Sequence, residues 1–423
     1  MTYPDSVRFL YSLGNEVKTA KYGLERITTL LAALGHPERL RRIVHVAGTN
    51  GKGSVSAMIE GGLRAAGLRT GLFTSPHLVE PTERIRIGGC PVNAGQFSAA
   101  FDRVHVCAER LLNEGAIDFH PTYFETVTAM AFLLFQDEKT EAVVLEVGLG
   151  GRLDATNVVT PELCVIMPVD FDHEALLGKS LEAIAGEKAG ILKPGVPAVL
   201  ATQRPEALQT IDRRAAHLHV DVIHAPDKWH IDNLELSSQG SDFTVRDGSE
   251  MHIHCPLAGE HQIANAVVAV AALHHLGIET AAIERGIASA RWPGRLDHIS
   301  RSPEIILDGA HNPSGARALA AYIERFYSGR RVVLVYGAMR DKAVEEIAGI
   351  LFPCADEVIA TAPKQSRAVD PETIRELAAH PNLRTAPNLA AALDLARSGD
   401  PGRVIFVTGS LFLVGEALTL LNG

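Results

Sequence analysis

Residues 43–67 read IVHVAGTNGKGSVSAMIEGGLRAAG, and this stretch decides the fold: a strand, a glycine-rich turn, then a helix. Ile43, Val44 and Val46 form a β-branched run bounded by Gly48, and Val55, Met58, Ile59, Leu63 and Ala66 then recur at helical spacing. Between them Gly48, Gly51 and Gly53 let backbone amides approach a single anion, the following helix contributes its positive end, and Lys52 supplies a point charge. The turn therefore reads as a nucleotide phosphate cradle. It is not the generic G-x-x-x-x-G-K-[ST] loop, because Val46 stands where that pattern has glycine and Gly53 stands where it has a hydroxyl. That hydroxyl normally ligates Mg²⁺, so the ligand is expected from elsewhere in the chain.

At 423 residues the chain is too long for one core, so at least two domains are expected. Hydrophobic residues make up 46% and charged residues 21%, the composition of a globular protein, and the net charge of −10 argues against a general nucleic-acid or membrane-surface role. Cys90, Cys107, Cys164, Cys255 and Cys354 are scattered, odd in number and without a C-x-x-C pair. They indicate neither a disulfide framework nor a cysteine zinc site, and reduced cysteines in the cytoplasm fit best. The chain shows no signal peptide and no apolar run near the ~20 residues of a membrane span.

Residues 1–40 read as helical segments, interrupted at Tyr22 and Gly23 by what locally looks like a capping turn. Residues 71–74 form a short strand, followed by a loop carrying Ser75, His77, Glu83, Arg84 and Arg86 that faces solvent or a ligand. An amphipathic helix over 96–114 and a nearly all-apolar one over about 122–137 come next. The strand AVVLEV (142–147) is apolar except for Glu146 near its C-terminal end, where open parallel sheets bind ligands, and a buried carboxylate there needs a partner or a metal. A strand over 163–169 delivers Asp170, Asp172 and His173 to the same edge. Lys188, in a helix starting at Leu181, reads locally as a surface cation. Residues 227–255 break into short β-rich pieces, a small antiparallel sheet on which His252 and His254 decorate a strand; helices begin near Gly259 and Thr280. Residues 290–304 have the composition of an interdomain linker. Beyond them βα alternation restarts as a second α/β domain, whose first loop is DGAHNPSG (308–315).

GTNGKGS, TSPHL with ERIRI, TYFE, EVGLGGRLD, DFDH, GEKAGILKPG, GEHQIANA, PGRLD and DGAHNP occur in this order along nearly the whole chain. The set resembles the folylpolyglutamate synthase/dihydrofolate synthase family of the Mur ligase superfamily, bacterial bifunctional type. The resemblance implies a P-loop-containing, doubly wound, mainly parallel α/β sheet with a small antiparallel sheet (residues 1–294), which binds ATP and a pterin or folate. A Rossmann-like α/β domain (295–423) would bind glutamate. The implied reaction is ATP-dependent addition of L-glutamate to 7,8-dihydropteroate and to reduced folates through an acyl phosphate, by a cytoplasmic monomer using Mg²⁺, with K⁺ a further candidate.

Residue by residue, the resemblance implies that Gly51, Lys52, Gly53 and Ser54 hold phosphates and that Ser75, Glu146 and His173 ligate Mg²⁺. Lys188 matches a lysine that this family carbamylates. Asn265, Arg295 and Asp308 match contacts to ATP, and His311 a catalytic-loop histidine. Gly23, Leu24, Arg84, Thr122, Tyr123, Phe124, Glu125, Leu153, Asp154 and Ala155 match the acceptor pocket, with Phe124 placed to stack on a ring and Asp154 to accept its N–H donors. VDFDHEALLG departs from the family's small-residue plus Leu-Asp-His form but retains His173. The rival readings are reduced-folate glutamylation alone, a muramyl-type amide ligase, and an ATP-binding regulatory module without ligase activity.

Overall fold

A computed structural model describes residues 1–13, 23–247, 249–399 and 402–422. Gly23 is described and Tyr22 lies outside these residues, so the expected capping turn is seen only from Gly23 onward.

The first sheet is built from β1 (Ile43–Ala47), β2 (Thr70–Phe73), β3 (Ile85–Ile87), β4 (Cys90–Pro91), β5 (Ala142–Glu146), β6 (Leu163–Ile166), β7 (Ala198–Leu200) and β8 (Val222–His224). Their order is β4-β3-β2-β5-β1-β6-β7-β8. From β2 to β8 all neighbours run parallel, while β3 and β4 turn back antiparallel at one edge. The strands are apolar on both faces because both are covered. Val44, Val144 and Val165 pack under helices Lys52–Ala65 and Glu260–His275; Ile43, Val143 and Leu145 pack under helix Tyr123–Asp137 through Phe132 and Phe135. β1 lies between β5 and β6, so the loops leaving these three strands open at one switch point, where such sheets bind ligands.

The small antiparallel sheet is β9 (His230–Ser237), β10 (Gly240–Asp247) and β11 (Ser249–Cys255), with His252 and His254 exposed on it. The second α/β domain carries β12 (Asp297–Arg301), β13 (Glu304–Leu307), β14 (Val332–Tyr336), β15 (Glu357–Ala360), β16 (Leu383–Thr385) and β17 (Val404–Thr408), in the order β12-β13-β17-β14-β15-β16.

Two expectations are corrected. The ERIRI segment is not all loop, since Ile85–Ile87 is strand β3 paired with β2 and Arg84 is buried. The 290–304 stretch is not all linker, since Asp297–Arg301 pairs antiparallel with β13 as an edge strand. Both strands are short and charged, and their pairing partners are stable strands, so tertiary context outweighs local composition.

Candidate active site

The phosphate loop leaves β1 at the switch point. Gly51 caps helix Lys52–Ala65 with φ +82°, a left-handed conformation that costs glycine least, and an added Cβ would lie 2.6 Å from Asn265 Oδ1. Thr49 pins the loop to the neighbouring strand end, its hydroxyl donating to the Asp170 carbonyl and accepting from the Asp170 N–H, both at 3.0 Å. Lys52 Nζ folds back onto the carbonyls of Gly48 (3.1 Å) and Thr49 (3.2 Å). The Ser54 hydroxyl accepts from Gln262 Nε2 at 3.2 Å, and Gln262 in turn accepts from Asn265 Nδ2 at 2.9 Å. Gly53 lies under Trp292, whose ring would be 2.7 Å from an added Cβ. The space that the hydroxyl-bearing side chain of the generic loop would fill is thus occupied by the Trp292 indole.

Register places Glu146 beside Val46, at the base of this loop. Only 4% exposed, its Oε2 accepts from the Ser75 N–H at 3.0 Å. Burial raises its pKa, opposed by Lys52, the Ser75 amide, Arg295 and Arg84. Ser75 and Glu146 line a cavity of about 510 Å³ whose other walls include Trp292, Arg295 and Leu411. A carboxylate and a hydroxyl facing one cavity are hard oxygen donors, and they fit Mg²⁺.

Lys188 is not the surface cation its sequence context indicates. It ends helix Leu181–Lys188, is 4% exposed, and donates to the Gly48 carbonyl at 2.8 Å. Burial, then repulsion by Lys52, pulls its pKa down to about 7. His173 starts the short helix Glu174–Leu177 in a left-handed conformation, and its Nε2 lies 3.4 Å from Lys342 Nζ. Among the described residues no hydrogen bond or ion pair joins it to Glu146.

Across the cleft, Lys342 Nζ donates to Asp172 Oδ1 at 2.6 Å, Asn312 Nδ2 to Asp172 Oδ2 at 3.4 Å and to Asn50 Oδ1 at 2.9 Å. Burial alone would raise the Asp172 pKa; Lys342, His173 and His311 outweigh it and hold the carboxyl well below the usual range. Sequence reasoning named Asp172 but passed over Lys342, Asn312, Asn50 and Trp292. DGAHNP carried the one signal that could have found Asn312. Asp308 is buried and Arg295 beside it is half-buried; Asp308 accepts from the amides of Leu296 (3.0 Å) and Ala310 (2.9 Å), while Arg295 donates to the Gly294 carbonyl at 3.0 Å. His311 Nδ1 bonds the Gly309 carbonyl at 2.7 Å, and burial pulls its pKa to about 4, so it is neutral near pH 7.

Of the residues expected for the acceptor pocket, Leu24, Tyr123 and Phe124 pack against the core cluster that holds Ala155. Leu24 precedes helix Glu25–Ala33. Thr122 caps helix Tyr123–Asp137, and Glu125 completes that capping box while its Oε2 accepts from Arg26 Nε at 2.8 Å. Arg84 lies over the Tyr123 ring at 5.2 Å and donates from Nε to His77 at 2.8 Å. Phe124 lies 5.7 Å from Phe73. Asp154 is buried and accepts from the amides of Leu149 (2.9 Å) and Thr156 (3.0 Å) and from the Thr156 hydroxyl, which also meets His45 Nε2 at 2.8 Å. Gly23 and Leu153 are half-buried.

A phosphate loop and a buried strand-end carboxylate facing a second α/β domain define a ligase of the Mur type: residues 46–273 match the Mur ligase middle domain and residues 294–411 the Mur ligase glutamate ligase domain. The chain is 36% identical over 410 residues to dihydrofolate synthase/folylpolyglutamate synthase of Bacillus subtilis, covering 94% of each. It superposes on Mycobacterium tuberculosis folylpolyglutamate synthase complexed with ADP with TM-score 0.93, 33% identity and coverage of 100% and 99%. FolC of Escherichia coli in complex with DHPP and ADP matches with TM-score 0.89, 31% identity and coverage of 100% and 98%. The chain belongs to the dihydrofolate synthase/folylpolyglutamate synthase family of Mur ligases. No helix among the described residues is long and apolar enough to cross a membrane.

Proposed function

We propose that this chain joins L-glutamate to the carboxylate of 7,8-dihydropteroate and of reduced folates, converting ATP to ADP and phosphate. The observation that carries this reading is the convergence of Lys52, Lys188 and Glu146 on one sheet edge, across from Arg295 and Lys342 of the second domain.

In this reading Gly51, Lys52, Gly53 and Ser54 bind the ATP phosphates through backbone amides and the Lys52 ammonium. Asn265, Arg295 and Asp308 hold the rest of the nucleotide. An acceptor carboxylate oxygen attacks the γ-phosphorus and ADP leaves. The glutamate amine then attacks the acyl carbon, phosphate departs with that carboxylate oxygen, and the amine proton passes to solvent or to neutral His311. Lys52 and Arg295 neutralise charge as it builds on the transferring group, and no enzyme nucleophile is required. Ser75, Glu146 and His173 would hold Mg²⁺, which supplies charge neutralisation at the phosphates when bound. Lys188, with a pKa near neutrality, is largely an amine at pH 8, the form that adds CO₂; the resulting carbamate would turn a repelled cation into an anionic ligand.

In this reading, with a domain boundary near residue 294, the first domain carries the acceptor and the phosphate loop, the second carries glutamate, and Arg295 and Asp308 reach the nucleotide from the second. Asp172, Lys342 and Asn312 hold the two together, which excludes water from the acyl phosphate. One chain completes the cleft, which supports a monomer. A second reading, glutamylation of reduced folates alone, is favoured by the Asp154 carboxylate being already engaged by Leu149 and Thr156. The deciding experiment measures ADP release with ATP, Mg²⁺ and glutamate, adding 7,8-dihydropteroate or tetrahydrofolate in parallel and identifying products by mass. Turnover with both establishes the proposal, turnover with tetrahydrofolate alone the second reading, and turnover with neither overturns both.

A further inference from the structure

Away from this cleft, helix Ala94–Asn113 carries His105 and Glu109 one turn apart on a single face, and the loop that follows brings His120 beside them. One ligand atom from each lies within 4.8 Å of the others. Glu109 Oε1 is 4.0 Å from His105 Nδ1 and 3.8 Å from His120 Nε2.

Both nitrogens are shielded from solvent and lack a hydrogen-bond partner. Buried polar atoms ordinarily find partners, so two orphans aimed at the same carboxylate need a cause. The tautomer of His120 is fixed: its Nδ1 lies 2.8 Å from the Pro121 carbonyl, which can only accept, so Nδ1 carries the proton and Nε2 presents its lone pair. A carbonyl on the far ring nitrogen is how metal-ligating histidines are held. Aromatic rings fix both imidazoles. Phe9 lies 4.6 Å from His105 and 5.4 Å from His120, and Phe101 stacks on His105 at 12°.

We propose that His105 Nδ1, Glu109 Oε1 and His120 Nε2 form a binding site for a divalent transition-metal ion, Zn²⁺ by the chemistry of two imidazoles and one carboxylate. Imidazole donors select Zn²⁺ over Mg²⁺ or Ca²⁺, and three protein ligands leave a fourth position for water, reached past the half-exposed Glu109. Metal–ligand bonds of about 2.0–2.2 Å set tetrahedral ligand atoms about 3.4 Å apart, so atoms now within 4.8 Å of one another draw together by up to about 1.4 Å, shared between the Glu109 side chain and small shifts of the two imidazoles. The ion would staple residues 114–120 to the helix before them, just ahead of Thr122. The proposal is independent of the ligase chemistry.

The test uses the full chain, stripped with a chelator and titrated with Zn²⁺ alone against a chromophoric competitor, with thermal unfolding as a second readout. The wild type is expected to take up one equivalent that is lost, or weakened at least about tenfold, in both His120→Ala and Glu109→Gln. Zn²⁺ is expected to raise the unfolding temperature of the wild type and not of the variants. Glu109 is half-exposed, so Glu109→Gln guards against a misfolded His120→Ala. Uptake that is equal in all three proteins, which other histidines or the nucleotide cleft would produce, overturns the proposal, as does no uptake by the wild type.

Discussion

Lys188 Nζ donates at 2.8 Å to the Gly48 carbonyl, the same oxygen that Lys52 Nζ reaches at 3.1 Å. Two lysines sharing one acceptor at the mouth of a phosphate loop repel each other, and the buried one yields. Because the folded-state pKa of Lys188 is about 7 against 10.5 in the free side chain, the unfolded chain holds a proton between these values that the folded chain lacks. Stability therefore rises with pH across that window, and below pH 7 the full cost of the buried charge is present. Lys188→Met is expected to unfold several degrees above wild type at pH 6, with the gap closing by pH 10, while losing amide formation. Thermal unfolding across pH reads it, and a gap independent of pH would contradict the assignment.

Glu146→Gln keeps an oxygen for the Ser75 amide but removes the charge facing the cavity. Turnover is expected to fall about 100-fold or more, the scale of losing one preorganised electrostatic contact, with a higher Mg²⁺ requirement. Near wild-type turnover at saturating Mg²⁺ would show that the metal lies elsewhere.

Lys342 and Asp172 are about a tenth exposed and join the two domains. Removing one partner of a buried pair costs about 3 kcal/mol, here charged mainly against the closed arrangement. In Lys342→Met more ADP should be released per amide formed, because an open cleft admits water to the acyl phosphate. Asp172 has a depressed pKa, so its stabilisation is full above the unfolded carboxylate value of about 3.9 and fades as pH falls below it. The unfolding-temperature gap between wild type and variant should accordingly hold from pH 7 to about pH 5 and narrow below about pH 4.

Gly53→Ser would supply the hydroxyl of the generic phosphate loop, yet its Cβ would meet the Trp292 indole at 2.7 Å. We expect it to raise the KM for ATP rather than lower it, and Trp292→Ala combined with Gly53→Ser to recover part of the loss. Equal KM values for the single and double variants would rule out the clash as the cause.

Much of this site was legible in the sequence because its parts are local. The glycine spacing at 48–53, the lone carboxylate ending an apolar strand at Glu146, and the βα alternation each follow from neighbours in the chain. Lys188 was different: its helix is unremarkable, and only packing beneath Gly48 buries it. The pairs Asp172–Lys342 and Asn50–Asn312 join residues far apart in sequence, and His105, Glu109 and His120 meet through a loop whose path no periodicity encodes. β12 was hidden for a further reason. As an edge strand it keeps the polar residues of a linker, and only its pairing with β13 reveals it.

The most direct measurement of the central claim follows oxygen. With the acceptor carboxylate labelled with ¹⁸O, and ATP, Mg²⁺ and glutamate supplied, the acyl phosphate route transfers one labelled oxygen to the released phosphate for each amide formed. Phosphate carrying no label while amide accumulates would contradict it.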